Sequence, residues 1–204
     1  MIMSHLVISI VVFIMVIVAH ELAHGWAAYR LGDPTAKYAG RLSLNPLKHL
    51  DPIGSVLLPA MLAITGSPVI FGWARPVPVN PMNFSDPRKG MLITSLAGPG
   101  ANFLLALIFA AIFKTGLFPP NSIPWIFLLY GILISLVLGI FNLIPIPPLD
   151  GGGIVSSILP PELAVKYMRV ERYGFLILIA LLYLGLFDGF IFPLVRVLTR
   201  MLVS

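Results

Sequence analysis

From Ile2 to Ala19 the chain runs eighteen residues without an aspartate, glutamate, lysine or arginine, and His20-Glu21-Leu22-Ala23-His24 follows directly. An apolar run of about 18 residues is long enough to cross most of a bilayer. Ionisable groups placed at the end of such a run are costly, and they default to function. The opening stretch therefore confines the chain to a membrane protein with polar chemistry at a helix end. The remaining composition agrees: 58% of the 204 residues are hydrophobic and 10% are charged, against roughly 25% charged in a soluble domain. That balance excludes a soluble enzyme, a disordered tail and a nucleic-acid reader working through a basic surface. The absence of cysteine excludes a disulfide framework, a thiolate metal site and a cysteine nucleophile. Nineteen prolines and eighteen glycines are many for a helical membrane protein, and they suggest irregular backbone sheltered around a cavity.

The first run has no basic leader and no small-x-small cleavage site. It reads as a retained transmembrane helix continuing to about Leu31, where Gly32-Asp33-Pro34 stops it. Further apolar runs cover 53–66, 91–113, 124–144, 173–187 and 190–203. Ten of the thirteen basic residues fall in 30–90 and 156–172, from Arg30 to Lys89 and from Lys166 to Arg172. Lys114 alone lies in the connection between the two central spans. The positive-inside rule places both basic regions in the cytoplasm and the amino terminus outside. Residues 30–90 then begin and end on the same side, so 53–66 is re-entrant or interfacial. The expected architecture is an all-α polytopic helix bundle of about five to six membrane segments, with a re-entrant or interfacial segment and a short strand-like loop. It forms one integral-membrane domain over 1–204, with a catalytic core at about 1–155 and hydrophobic C-terminal segments at 156–204. The expected location is the cell membrane.

The His20–His24 pair matches H-E-x-x-H. Residues four apart share one face of a helix, so both imidazoles can reach one metal, with Glu21 beside them to take a proton. A hydrolytic zinc site needs a third protein ligand and one open position. His5 lies about 22 Å up the same helix, and His49 sits in a polar linker, where a solvated or interfacial place is expected. Most acids lie in loops or at helix ends. Asp150 differs, because it follows an apolar span inside Asn142-Leu143-Ile144-Pro145-Ile146-Pro147-Pro148-Leu149-Asp150. Three prolines unwind the chain there, and unwound backbone at membrane depth implies shelter. Depth agrees: His20 lies about 27 Å below the start of the first helix, and Asn142 about 28 Å below Ile123.

The chain resembles the site-2 protease family of intramembrane zinc metalloproteases, in its compact bacterial and archaeal branch without added regulatory domains. HELAH, SLAGPGAN (residues 95–102) and FNLIPIPPLDGG (residues 141–152) carry the resemblance, with RPVPVNP (residues 75–81) beside them. The resemblance implies one zinc ion held by His20, His24 and Asp150, with Glu21 as catalytic base and Asn142 beside the metal. The residue after the LDGG run is often larger and basic in relatives, whereas here it is Gly153.

A side-chain amide such as Asn142 suits the developing oxyanion, while Asn102 either bonds across a helix interface or reaches backbone near the metal. The implied partners are membrane-spanning protein substrates and the lipid bilayer, with no nucleic acid. Residues 75–79 alternate like a strand that proline confines to an edge. They either receive an extended substrate or form a structural loop that grips headgroups through Trp73 and Arg75. The competing readings are an inactive membrane metal-binding scaffold, a transporter, and another zincin-like membrane enzyme such as a prenyl-protein protease.

Overall fold

The computed structural model describes residues 2–57, 61, 64 and 75–204. Its main helices are α1 (Ile2–Arg30), the single turn α2 (Thr35–Tyr38), α3 (Pro87–Lys114), α4 (Ile123–Asn142), α5 (Asp150–Ile158), α6 (Pro161–Met168), α7 (Glu171–Tyr183) and α8 (Phe192–Val203). No strand occurs among the described residues. Local chemistry sets the ends of the long helices. Asp86 caps α3 by accepting from the Arg88 and Lys89 amides, with Pro87 in its first turn, and Ser122 caps α4 ahead of Pro124. Gly32, at φ +105°, closes α1.

The chain is an all-α polytopic membrane protein. Among the described residues α1, α3 and α4 are long and apolar enough to cross a membrane, and α7 with the segment 187–203 makes a fourth span if that pair, bent by 66°, is taken as one. The expectation of five to six segments counted the two halves of this bent pair separately and included 53–66. Of that run only 53–57, 61 and 64 are described, so its re-entrant or interfacial placement lies outside the described residues, as does Trp73.

The apolar core has two parts. Ile8, Val12 and Val16 of α1 pack with Ile126 of α4. Ala106, Phe109 and Ala110 of α3 pack with Leu128, Ile132 and Leu136 of α4, and Ile191 and Val195 close over them. The second half of the bent C-terminal pair, residues 186–203, therefore packs on the α3–α4 contact.

The linker after α1 is tied down by a buried acid. The Asp33 carboxylate accepts from the Thr35 amide and hydroxyl, from the Asn80 amide at 2.7 Å and from Asn83 Nδ2 at 2.7 Å. Of the solvated or interfacial place expected for His49, the solvated one is not found. His49 is fully buried, and its Nε2–H donates to the Ser43 carbonyl at 2.7 Å. The linker folds back on itself here, and a ring that can bond a local carbonyl goes inside with it.

Burial at Asp33 works against ionisation, yet the hydrogen bonds from Thr35, Asn83 and Asn80 outweigh it and hold the carboxyl below its usual 3.8. A depressed folded-state pKa stabilises the fold above about pH 4 and loses that contribution as the pH falls through the folded value. Asp33→Asn should cost about 2 kcal/mol at neutral pH. Thermal melts in detergent should show the gap from wild type shrinking below about pH 4.

Candidate metal centre

Along α1 the buried positions Ile8, Val12, Val16, His20, His24 and Ala28 recur every fourth residue. This is the i±4 ridge by which helices pack. Its outer part is apolar and its inner part carries the two imidazoles. The facing ridge of α3 has the same step: Thr94, Gly98 and Asn102 are all buried. The helices run antiparallel, so Thr94 meets His24 and Asn102 meets His20. The His24 Nδ1–H donates to the Thr94 carbonyl at 2.7 Å, and the Asn102 amide lies 3.1 Å from His20 Nδ1. Gly98 sits between these contacts. A Cβ on Gly98 would fall against His24 Nε2 and lie 2.6 Å from His20 Nε2.

The third member arrives from the other end of the chain. After α4 the backbone turns through Pro145, Pro147 and Pro148, and Asp150 opens α5. Gly151 and Gly152 permit this return. A Cβ on Gly151 would lie 2.6 Å from the Ile144 carbonyl carbon, and one on Gly152 would lie 2.6 Å from Pro147 N. Backbone cannot yield as a side chain can, so these positions hold Asp150 in place. A Cβ on Gly153, where larger basic residues were expected in relatives, would press on the Ser95 hydroxyl of α3, so a side chain there requires Ser95 to turn away.

His20, His24 and Asp150 form one cluster, the only such trio of candidate metal ligands among the described residues. His20 Nε2 and His24 Nε2 are 3.0 Å apart, and each is within 3.1–3.2 Å of an Asp150 oxygen. Tetrahedral ligands at 2.0–2.1 Å from zinc stand about 3.3 Å apart, so the observed triangle is close to one face of such a site. The polar inventory supports the fit. The Nδ1 proton of His24 is committed to Thr94, which leaves its Nε2 lone pair pointing at the cluster. Asp150 Oδ2 is buried and makes no hydrogen bond despite its closeness to His20. Converging bare donors of this kind call for a cation.

Glu21 projects from the neighbouring position of α1, and its Oε2 accepts the Val77 amide at 3.0 Å. The segment 75–80 lies along this edge of the site as extended backbone without strand pairing. Most of its polar groups are already used. The Arg75 amide donates to the His49 carbonyl, the Asn80 amide to Asp33, and the Arg75 and Pro76 carbonyls accept from Arg41 Nη2. Arg41 is buried, and its Nη1 also donates to the Lys48 carbonyl. Burial and the Arg75 cation push the Arg41 pKa down while the Glu21 carboxylate pulls it up. The segment thus serves as a wall of the site.

The remaining sequence candidates sit elsewhere. Asn142 Nδ2 donates to the Leu138 carbonyl of its own helix at 3.0 Å, so its amide is partly engaged away from the trio. The Nδ1 of His5 lies 3.1 Å from the Tyr130 hydroxyl. Sequence reasoning missed Thr94, Arg41 and the Val77 amide. The four-residue spacing 94–98–102 was a readable signal for the first, whereas the backbone contacts of Arg41 and Val77 left none.

Residues 119–185, which include Asn142 and Asp150, match the profile of peptidase family M50. YwhC of Bacillus subtilis, provisionally named a zinc metalloprotease, is 40% identical over 95% of this chain and 87% of its own length. The chain belongs to peptidase family M50, the site-2 protease family. Rip2 of Mycolicibacterium smegmatis, also provisionally named a zinc metalloprotease, is 31% identical over 90% of this chain and 69% of its own. The zinc metalloprotease MJ0392 of Methanocaldococcus jannaschii is 26% identical over 86% of this chain and 39% of its own. No solved structure matches the chain significantly.

Membership of family M50 makes Gly98 a sharp test of the packing argument. Gly98→Val should abolish zinc retention through purification. Gly100→Ala, where a Cβ meets nothing within 4 Å, should retain the wild-type amount by elemental analysis.

Proposed function

We propose that this M50 zinc metalloprotease acts within the membrane, hydrolysing peptide bonds in or near transmembrane segments of protein substrates, with Glu21 as general base. The convergence of His20, His24 and Asp150 beside Glu21 carries the reading. These three side chains hold the metal. Bound zinc supplies Lewis acidity that brings the pKa of water toward about 7 and polarises the scissile carbonyl.

The protein's own groups divide the remaining work. Glu21 Oε2 is fixed by the Val77 amide, which leaves Oε1 to take the proton from the attacking water. The same carboxyl returns that proton to the leaving amine. Asn142 remains the proposed neutral donor to the oxyanion through the amide hydrogen not engaged by Leu138. The α1–α3 contact buries both imidazoles, and the 75–80 segment borders Glu21. The charge pattern supports a site near the cytoplasmic face of the cell membrane. A helical substrate hides its amides in its own hydrogen bonds, so helix-breaking residues near the cut favour cleavage. The whole chain acts as one integral-membrane unit, with 156–204 outside the catalytic core.

Wild type and Glu21→Gln, purified and given a single-span substrate, should each hold about one zinc per chain. Cleavage should fall by about 10²–10⁴-fold or more in the variant. Full activity in Glu21→Gln would refute the role of the carboxylate.

A further inference from the structure

The four-residue registry of α1 and α3 pairs each imidazole with one group of α3, and the two pairs are chemically unequal. His24 is settled. Its Nδ1–H donates to a carbonyl, the Thr94 oxygen at 2.7 Å, so Nε2 carries the lone pair that faces the cluster. A carbonyl only accepts, so this tautomer follows from the contact itself. His20 instead meets a side-chain amide. Asn102 Nδ2 is 3.1 Å from His20 Nδ1, and Asn102 Oδ1 is buried with no hydrogen-bond partner. With the amide turned this way the nitrogen donates to Nδ1 and leaves the His20 proton on Nε2. That proton then lies in the 3.0 Å gap to His24 Nε2, where the two rings can share it.

Such an arrangement suits a site closed by a proton and is incompatible with His20 as a ligand through Nε2. Turning the amide by half a revolution about its last bond exchanges the two ends. Oδ1 then accepts the Nδ1–H of His20, the buried oxygen gains its partner, and Nε2 is freed. Asn102 is fully buried on α3, and Gly98 one turn earlier brings this face of α3 against the imidazoles.

We propose that Asn102 is the positioning residue for His20: its Oδ1 accepts the His20 Nδ1 proton, fixes the ring as the Nδ1–H tautomer and presents Nε2 to zinc. Thr94 does the same for His24 through its backbone. One ligand is thereby set by main chain, which no substitution of the side chain removes, and the other by a single replaceable amide. The inference rests on the zinc reading of the trio and assigns what orients it.

The test is a zinc titration of purified protein against a chromophoric chelator, with wild type, Asn102→Leu and Asn102→Asp. Leucine keeps the bulk and loses the acceptor, and aspartate keeps an acceptor and loses the donor. Asn102→Leu should bind zinc about 10–100-fold more weakly, with helix content and elution profile unchanged. Asn102→Asp should bind as wild type or tighter. A leucine variant with wild-type affinity, or an aspartate variant as weak as leucine, overturns the proposal. A wild type that takes up no zinc overturns the underlying reading as well. If the leucine variant does not fold, nitrogen-15 NMR of histidine-labelled, zinc-loaded wild type decides. A proton on His20 Nδ1 is expected, and a bare Nδ1 contradicts the assignment.

Discussion

The antiparallel contact of α1 with α3, in steps of four residues on both helices, is what the remaining structure depends on. It buries His20 and His24 against Thr94, Gly98 and Asn102. Polar groups at membrane depth are tolerable only when their hydrogen-bonding capacity is met within the protein or by an ion. The contact meets the outer ring nitrogens and leaves the inner ones directed at Asp150. The absence of a side chain at Gly98 is as necessary as the presence of the imidazoles, because any Cβ there would occupy the ligand side of the rings.

Asp150 and Glu21 are placed by backbone more than by side chains. The proline turn after α4 and the glycines that follow let α5 begin against the carbonyls of residues 143–144. The excess of proline and glycine thus acquires a location, in the turn that delivers Asp150. On the other side, Arg41 and Asp33 pin the segment 75–80 through its own carbonyls and amides, and that segment in turn holds Glu21. A cation with five donors suits the first of these tasks, since extended backbone without a strand partner has carbonyls to satisfy.

Much of this was legible in the sequence. The spans over α1, α3 and α4 follow from apolar length, and the trio follows from H-E-x-x-H, the proline-rich turn and equal depth. Asn102 was legible as a polar residue on a close-packed helix, though its partner was not, because periodicity gives a face and not the helix opposite. Asn142 shows the converse: depth placed it correctly at the end of α4, while its amide turned to Leu138 of its own helix. His49 lies inside the linker and not in solvent, because a polar linker can fold inward where a local carbonyl pairs with one ring nitrogen. Arg41 and Val77 act on or through backbone, and no side-chain pattern announces that.

The central claim is that His20, His24 and Asp150, drawn from opposite ends of the chain, hold one zinc ion. X-ray absorption at the zinc edge of purified wild type tests it most directly. Two imidazole nitrogens and carboxylate oxygen at about 2.0–2.1 Å are predicted, with the shell losing one imidazole in His24→Ala. A wild-type shell of oxygen alone, or one unchanged by that substitution, would contradict it.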